Sequence, residues 1–191
     1  PIEYVHKSDK SLITHREVGD DVLSFRNGII EALRQDPNII IVGEMRDPAT
    51  ISAVLEATDS GHKIFSTLHT SSTVESIHRI IAEFPPDEQE RIRFRLADTL
   101  KVVISQKLVP NKEGKRTLAK EILSVDYSVQ AAIRNNNITE IFQMITEGKN
   151  KGMFTLQQDL YRLVRNGTIT TETALNYCNN KKIMQQLLGY S

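Results

Sequence analysis

The hydrophobic positions near the start of the chain follow two different periods. The segments "IEYV" and "LITHREV" alternate apolar and polar residues, which predicts two short strands. The segment "SFRNGIIEALRQ" has apolar residues at helical spacing, and the Asp36-Pro37 pair behind it is expected to end a helix. The apolar face of this predicted helix carries Phe25, Ile29, Ile30 and Leu33.

A continuous apolar run comes next, followed by a second helical pattern. The run "NIIIVGE" is apolar on both faces, as expected of a central strand that helices cover on both sides. The segment "DPATISAVLEATDSG" predicts a helix with Asp47 as its N-cap, Pro48 in its first turn and Gly61 at its end. "HKIFSTLH" predicts another strand. Strands and helices that alternate at this spacing are typical of α/β proteins with a mainly parallel sheet.

Two further helix starts carry the spacing of a capping box. Ser72 directly precedes the helical segment "TVESIHRIIAEF", and Glu75 follows it three residues later. Asp87 and Glu90 are also three residues apart, at the start of "DEQERIRFRLADTL". The segments "KVVISQKLV" and "RTLAKEILSV", separated by the polar "PNKEGK", predict a hairpin or two strands at a sheet edge.

The pattern of the sequence changes near Asp126. The residues behind it form several short segments with helical periodicity, of which "TLQQDLYRLVRNG" has the clearest apolar stripe. We therefore predict an α/β region over residues 1–124 and a small helical domain over residues 125–191.

Composition narrows the class of protein. The 191 residues are 39% hydrophobic and 25% charged, and no apolar run approaches the ~20 residues that span a bilayer. Lys plus Arg and Asp plus Glu both number 24, so no overall charge favours a nucleic-acid partner. Cys178 is the single cysteine, which excludes an internal disulfide and a cysteine-cluster zinc site.

Candidate chemistry begins at the carboxyl end of the "IIIV" strand, because open α/β sheets place their ligands at that edge. Gly43 would let the backbone turn and let a ligand come close. Glu44 could order Mg²⁺ through water or orient an attacking water in phosphoryl transfer. The alternative is a solvated acid, or one paired with Arg46. Asp47 is assigned to helix capping.

A second candidate lies in "STLHTSS", just past the next predicted strand. His69 stands there among hydroxyl groups and ahead of a helix N-terminus, where an imidazole could contact a γ-phosphate. The alternative is a loop imidazole that is hydrogen-bonded to backbone. Ser72 has a sufficient structural role as the helix cap.

Two arginines complete the set of candidates. Arg16, in a predicted strand, could stabilise phosphate charge or reach a neighbouring subunit, or it could make an ordinary salt bridge. Arg79, one turn into the helix behind His69, could contact a phosphate or an interface, or lie on a solvated face.

A glycine-rich phosphate loop of the pattern G-x-x-x-x-G-K-[ST] is absent from the sequence, and "EGKR" fails the pattern. The residues alone therefore indicate an α/β domain with a candidate phosphate or Mg²⁺ site.

Taken together, six stretches resemble the type II/IV secretion ATPase superfamily in order and spacing, and most closely its PilT-type retraction ATPases of type IV pili. The stretches are "PIEYVH", "REVG", "ALRQDPNIIIVGEMRD", "DSGHKIFSTLHTSS", "IHRII" and "ISQKLVP". The resemblance implies part of a RecA-like P-loop core followed by a helical domain. It implies a Walker B segment in which Glu44 is the catalytic glutamate and Gly43 its neighbour. It also implies a His box in which His69 lines the ATP site, with Thr67 and Thr70 nearby.

The same resemblance implies that the sequence begins inside the family's Asp box, with the Walker A loop and a PAS-like domain upstream. We therefore expect a fragment that hydrolyses ATP poorly by itself. The single cysteine favours the retraction branch over relatives with a tetracysteine zinc site. The tail segment "AIRNNNITE" keeps Ala132 to Asn135 of the branch's motif but departs after it, which leaves room for a paralogue with a different task.

The resemblance also implies cofactors, partners and a location. ATP and Mg²⁺ would bind near the subunit interface of a hexameric ring. Arg16 and Arg79, singled out above from the residues themselves, are the further candidate nucleotide contacts. The ring would act at the cytoplasmic face of the inner membrane, with the pilus platform protein as partner, and drive pilus retraction. The alternatives are a secretion or assembly paralogue and a non-catalytic oligomerisation or docking module. A DNA-translocating relative is disfavoured by the zero net charge.

Overall fold

A computed structural model describes residues 2–190 and contains two compact units. The first unit is Pro1–Leu68 and the second is His69–Ser191. Each carries one part of the candidate chemistry, since Glu44 belongs to the first unit and His69 to the second.

The first unit contains two parallel strands with a helical crossover, which confirms the α/β pattern predicted from the sequence. Its elements are α1 (Phe25–Leu33), β1 (Ile39–Val42), α2 (Pro48–Asp59) and β2 (Lys63–Ser66). β1 and β2 pair in parallel from Ile39 opposite Lys63 to Val42 opposite Ser66. Because both strands run the same way, their carboxyl ends meet at one edge of the sheet.

The core of the first unit lies on one face of this sheet. A buried cluster joins α1, β1 and α2, and its members are Ile29, Ile40, Val42, Ala53, Val54 and Ala57. On the opposite face Ile39, Ile41 and Phe65 are 53%, 71% and 61% exposed. The prediction that β1 is covered on both faces is therefore wrong for the described residues, because the two helices pack on the same side.

The segment before α1 forms neither of the two predicted strands. Within residues 2–24 the structure has only an isolated bridge between Val18 and Val22. A strand is stable only beside a partner, and side chains occupy backbone donors here instead. The His6 amide donates to His15 Nε2 at 3.1 Å, and the Ile13 amide donates to Ser8 Oγ at 3.0 Å.

The second unit begins with two helices and the predicted hairpin. Its first elements are α3 (Thr73–Ala82), α4 (Pro86–Thr99), β3 (Val102–Pro110) and β4 (Arg116–Ser124). The strands are antiparallel and in register from Val102 opposite Ser124 to Pro110 opposite Arg116. The hairpin prediction is therefore confirmed.

The helices predicted behind Asp126 are all present. They are α5 (Tyr127–Arg134), α6 (Ile138–Glu147), a short 3-10 helix (Gly148–Lys151), α7 (Leu156–Arg165), α8 (Thr171–Tyr177) and α9 (Lys181–Leu188). Val109 and Ala119 of the hairpin share one buried core with α7, α8 and α9. The domain boundary near residue 124 stays a prediction. No helix within residues 2–190 combines the length and apolar character that crossing a bilayer requires.

Asp47 and Ser72 cap their helices as predicted from the sequence, whereas Asp87 does not cap α4. Ser72 Oγ accepts the Glu75 amide at 3.1 Å, as predicted. The second half of this capping box differs, because the Glu75 carboxylate accepts from Ser71 instead. α4 has Pro85 as its N-cap and no side-chain cap, so Asp87 lies inside the first turn. Pro86 fits the first helical position, which starts the helix before Asp87 can cap it.

Candidate functional site

The segments that follow β1 and β2 are tied together at the carboxyl edge of the sheet. Thr67 Oγ1 donates to the Gly43 carbonyl at 2.6 Å. The Met45 amide donates to the Thr67 carbonyl at 3.3 Å. Glu44 lies between these two bonds, so its backbone is held on both sides at the edge where α/β sheets place their ligands.

The Glu44 carboxylate makes a close ion pair. Arg46 Nε lies 2.5 Å from Glu44 Oε2, and the Glu44 side chain is 23% exposed. The pairing with Arg46 that the sequence left open as the alternative is therefore present in the structure. The catalytic role of Glu44 stays a prediction, and it requires the carboxylate to exchange Arg46 for water or a ligand.

Gly43 has no conformational need for glycine. Its φ lies outside the left-handed region that favours this residue type. A Cβ added there would meet the Phe25 ring at 3.7 Å, which is ordinary van der Waals contact. The turning role expected for Gly43 therefore finds no support, whereas its exposed backbone still leaves room for a ligand.

Asp47 is committed to the start of α2. Its Oδ1 accepts the Thr50 amide at 2.8 Å, and its Oδ2 accepts the Thr50 hydroxyl at 2.7 Å. The hydroxyl bond and the amide bond hold the pKa of Asp47 below its ordinary value. Because both oxygens are occupied, the structure confirms the assignment of Asp47 to capping.

In the second unit, the loop 69–72 precedes α3, and the side chains of α3 hold it. Arg79 Nη1 donates to the His69 carbonyl at 2.8 Å. The hydroxyls of Thr70 and Ser76 share a hydrogen bond at 2.7 Å. Arg79 therefore supports the backbone of His69, which is a role that neither alternative for this arginine included.

Both the amide and the hydroxyl of Ser71 are bonded to the Glu75 carboxylate. Glu75 Oε2 accepts the Ser71 amide at 2.8 Å and the Ser71 hydroxyl at 2.5 Å. The hydroxyl bond, followed by the amide bond, lowers the pKa of Glu75. The bonds from Ser71 therefore favour the charged form of Glu75.

Arg16 makes the ordinary salt bridge that the sequence offered as one alternative. Its Nη1 lies 2.8 Å from Glu31 Oε2 of α1. The structure thus brings Gly43, Glu44 and Thr67 to one sheet edge in the first unit, while Arg16 is engaged with α1. In the second unit it brings Thr70 and Arg79 to the loop of His69. The binding roles of all these residues stay predictions.

Glu121 is a buried acid that the sequence interpretation missed. It is 2% exposed, and its Oε1 accepts the Thr73 amide at 2.9 Å and the Thr73 hydroxyl at 2.7 Å. Its Oε2 accepts the Leu156 amide at 3.3 Å. One carboxylate therefore joins the first turns of α3 and α7. The available signal was an acid between Ala119 and Leu123, at an inward-facing position of an alternating strand.

The residues at the sheet edge fit a Mg²⁺ ion that is bound mainly by phosphate and water. Within residues 2–190 no three His, Cys, Asp or Glu side chains are grouped to hold a metal by themselves. Mg²⁺ commonly takes only one or two carboxylates and completes its shell with water and substrate phosphates. The Glu44 carboxylate can supply one such ligand. The Ser66 hydroxyl, at the end of β2 opposite Val42, is buried without a partner among the described residues.

Comparison with known families and proteins defines the class of this chain. The family of type II/IV secretion system proteins matches residues 1–185. The chain belongs to this family.

Among individual proteins, the chain is similar to the twitching motility protein of Neisseria gonorrhoeae, with 44% identity over 185 residues. That similarity covers 96% of this chain and 50% of the relative. It is also 41% identical to the type IV pilus retraction ATPase PilT of Pseudomonas aeruginosa, across 91% of this chain and 51% of the relative. The chain thus spans about half the length of these relatives.

Solved structures show the same relationship in three dimensions. The crystal structure of the pilus retraction motor PilT with bound ADP matches with a TM-score of 0.89 and 39% identity, over 97% of this chain and 52% of that chain. The ATPase DotB of Legionella pneumophila matches with a TM-score of 0.74 and 30% identity, over 83% of this chain and 43% of that chain. The predicted resemblance and the predicted fold, part of a RecA-like core followed by a helical region, are confirmed.

Proposed function

We propose that the intact protein, of which this chain forms part, is an ATP-hydrolysing motor that powers retraction of type IV pili and thereby twitching motility. The observation that carries the proposal is the Glu44 carboxylate at the carboxyl edge of β1, in a chain that is similar to a retraction ATPase over 91% of its length. In the proposed division, residues 1–124 belong to the ATPase core and residues 125–191 form the helical C-terminal domain.

The proposed reaction uses Glu44 as the group that orients the attacking water. Bound Mg²⁺ would neutralise the negative charge of the ATP phosphates. Glu44 would leave Arg46, accept a hydrogen bond from the water and draw off its proton. The Thr67–Gly43 bond would keep the backbone beside Glu44 in place during this step. The exposed Gly43 would let the phosphates approach.

The proposed role of His69 is to contact the γ-phosphate and to respond to its loss. Thr67 and Thr70 are proposed as further nucleotide contacts, Thr67 while its hydroxyl stays bonded to the Gly43 carbonyl. Arg79 supports the His69 carbonyl at 2.8 Å and would act by fixing this loop. Arg16 would stabilise phosphate charge only after exchanging Glu31 for the nucleotide.

The proposed assembly is a hexameric ring at the cytoplasmic face of the inner membrane, with the pilus platform protein as its partner. Equal numbers of acidic and basic residues favour a protein partner over nucleic acid. One observation favours a related task in secretion or pilus assembly as a second candidate, namely the departure from the family's tail motif in "AIRNNNITE". Twitching and surface pili of a strain that lacks this protein separate the two. Loss of twitching with pili still present indicates a retraction motor, whereas loss of the pili indicates assembly and unchanged twitching indicates secretion.

The test of the catalytic assignment is the Glu44→Gln variant of the intact protein. Since the amide cannot take the proton of the water, we expect the ATPase kcat to fall by about 10²-fold or more. The matched control is Asp47→Asn, which makes the same chemical change three residues away and preserves a good helix cap. Equal kcat values for Glu44→Gln and wild type would refute the proposal.

A further inference from the structure

The loop 69–72 is also held from the far end of the chain. Asn179 Nδ2 donates to the Ser71 carbonyl at 3.0 Å, across 108 positions of sequence. Asn179 lies between α8 and α9, so this bond joins the C-terminal helices to the loop that carries His69. The bonds from Arg79 and Glu75, by contrast, come from α3, which directly follows the loop.

A lysine fixes the orientation of the Asn179 amide. Lys107 Nζ donates to Asn179 Oδ1 at 2.9 Å and to the Tyr177 carbonyl at 3.0 Å. Because a lysine ammonium can only donate, the Asn179 oxygen must face it, which turns the amide nitrogen towards Ser71. The Lys107 charge therefore selects the one amide orientation that can hold the loop.

The support behind Asn179 is well packed. Lys107 stands opposite Ala119 in the β3–β4 hairpin, on the inward side that shares a core with α7, α8 and α9. Tyr177 and Cys178, next to Asn179 in the chain, pack against this core. The bond to Ser71 therefore connects a loop without regular structure to a well-packed core.

The same hairpin holds the other end of the loop. Glu121 lies on the inward side of β4, two residues from Ala119, and binds the first residue of α3, Thr73. The hairpin is thus linked to the loop indirectly at Ser71, through Lys107 and Asn179, and directly to the residue that follows the loop, Thr73. A shift of the C-terminal helices relative to the hairpin would change the first attachment and leave the second in place.

We propose that Asn179, oriented by Lys107, is a positioning residue that sets the placement of the His69 loop and makes that placement depend on the C-terminal helices. Its effect on hydrolysis rests on the proposed function, in which His69 contacts the nucleotide. Its effect on the loop does not, because it follows from the hydrogen bonds alone.

The first test measures the loop directly in the intact protein, by hydrogen–deuterium exchange of peptides that cover residues 69–72. The variant is Asn179→Asp, which keeps an oxygen for Lys107 but loses the donor to Ser71. We expect loop amides to exchange about fivefold faster, as for the loss of one hydrogen bond. The control Asn180→Asp makes the same change at the next residue and retains the cap of α9. Equal exchange in wild type and both variants would overturn the proposal.

The second test is a double-mutant cycle of ATPase kcat/KM with Asn179→Asp and His69→Ala. If Asn179 acts through His69, the single Asn179 variant loses about threefold to tenfold, and the pair loses no more than His69→Ala alone. Losses that multiply would overturn the positioning role. If loop exchange responds to Asn179→Asp while Glu44→Gln and His69→Ala leave hydrolysis unchanged, the positioning stands and the proposed function fails.

Discussion

The two units bury one face of their apolar strands against different elements, and both leave apolar side chains exposed on the other face. In the first unit, helices cover one face of the β1–β2 sheet and leave Ile39, Ile41 and Phe65 exposed. In the second, the inward face of the hairpin and three helices enclose a core in which Leu160 and Met184 are fully buried. The exposed apolar side chains of the second unit's hairpin include Val102, Ile104 and Leu108 of β3. An apolar run therefore indicates a capacity for burial, and the surrounding elements decide how much of that capacity is used.

The candidate residues Glu44 and His69, one in each unit, are held by different contacts. Glu44 is held by bonds to the next strand along the chain, through Thr67. The His69 loop is held by α3 and also by Asn179 from 108 positions away. Changes in distant parts of the second unit should therefore reach His69 more readily than changes in the first unit reach Glu44.

The largest effect on stability is expected for a buried isoleucine of the second unit, compared with an exposed isoleucine of the first. Ile141 is fully buried in α6, whereas Ile41 is 71% exposed in β1. We expect Ile141→Ala to lower the free energy of unfolding by about 2–5 kcal/mol, because it leaves a cavity. We expect Ile41→Ala to cost less than about 1 kcal/mol. Urea unfolding of the chain followed by circular dichroism measures both, and similar costs would remove the contrast between the units.

The second effect concerns the buried acid of the second unit. Glu121→Ala leaves the Thr73 and Leu156 donors without their acceptor, so we expect a loss of about 2–4 kcal/mol in the free energy of unfolding. Glu113→Ala, in the exposed hairpin turn, is the matched control and should change it by less than about 0.5 kcal/mol. Urea midpoints check the pair. A Glu121→Ala variant as stable as the control would show that α3 and α7 do not depend on this carboxylate.

A third comparison uses two helix-capping aspartates. Asp126 caps α5 through the Val129 amide and also pairs with the charged Lys151, while Asp47 caps α2 and also accepts from the neutral Thr50 hydroxyl. We expect Asp47→Ala to cost about 1 kcal/mol and Asp126→Ala somewhat more. In thermal unfolding at pH 7, the Tm of Asp126→Ala should be lower than the Tm of Asp47→Ala. The reverse order would show that the pair with Lys151 does not contribute to stability.

The contribution of Asp126 to the free energy of unfolding should fall at low pH. The hydrogen bond from Lys151 is the first cause that lowers the pKa of Asp126, and the Val129 amide is the second. A lowered pKa means that the stabilisation is fully present above the unfolded-state value of about 3.9 and is lost as the pH falls through the lower folded-state value. The difference between wild type and Asp126→Ala should therefore shrink below about pH 4 and stay constant from pH 5 to 7.

The smallest effect concerns Arg16. Its bridge to Glu31 is partly exposed, so Arg16→Gln should change the free energy of unfolding by less than about 1 kcal/mol, and by less still at high salt. If Arg16 leaves Glu31 to contact phosphate in the intact protein, the KM for ATP rises in this variant and falls in Glu31→Gln, which removes the competing carboxylate. An unchanged KM in both would restrict Arg16 to the salt bridge.

Local patterns in the sequence were sufficient for the helices, the hairpin and the caps at Asp47 and Ser72. These features depend on neighbours within a few residues, which is the range over which periodicity and capping carry information. The position of Glu44 at the end of β1 followed from the same reasoning.

The features that the sequence did not reveal depend on distant residues. The segments "IEYV" and "LITHREV" have strand-like periodicity but no neighbouring strand within the described chain. The role of Glu121 required knowledge that α3 and α7 both begin at its carboxylate. Asn179 carries no motif at all, and only the fold brings it to Ser71.

The bare face of the β1–β2 sheet also determines how this chain behaves as a solute. Ile39, Ile41 and Phe65 form an exposed hydrophobic patch. The formal net charge is zero and the pI is about 7.4, so near neutral pH there is no long-range electrostatic repulsion between molecules. Colloidal attraction should therefore be strongest close to neutral pH. The chain should be most soluble one to two pH units away from neutrality. There all molecules carry a net charge of the same sign, and their repulsion opposes contact between the exposed sheet faces.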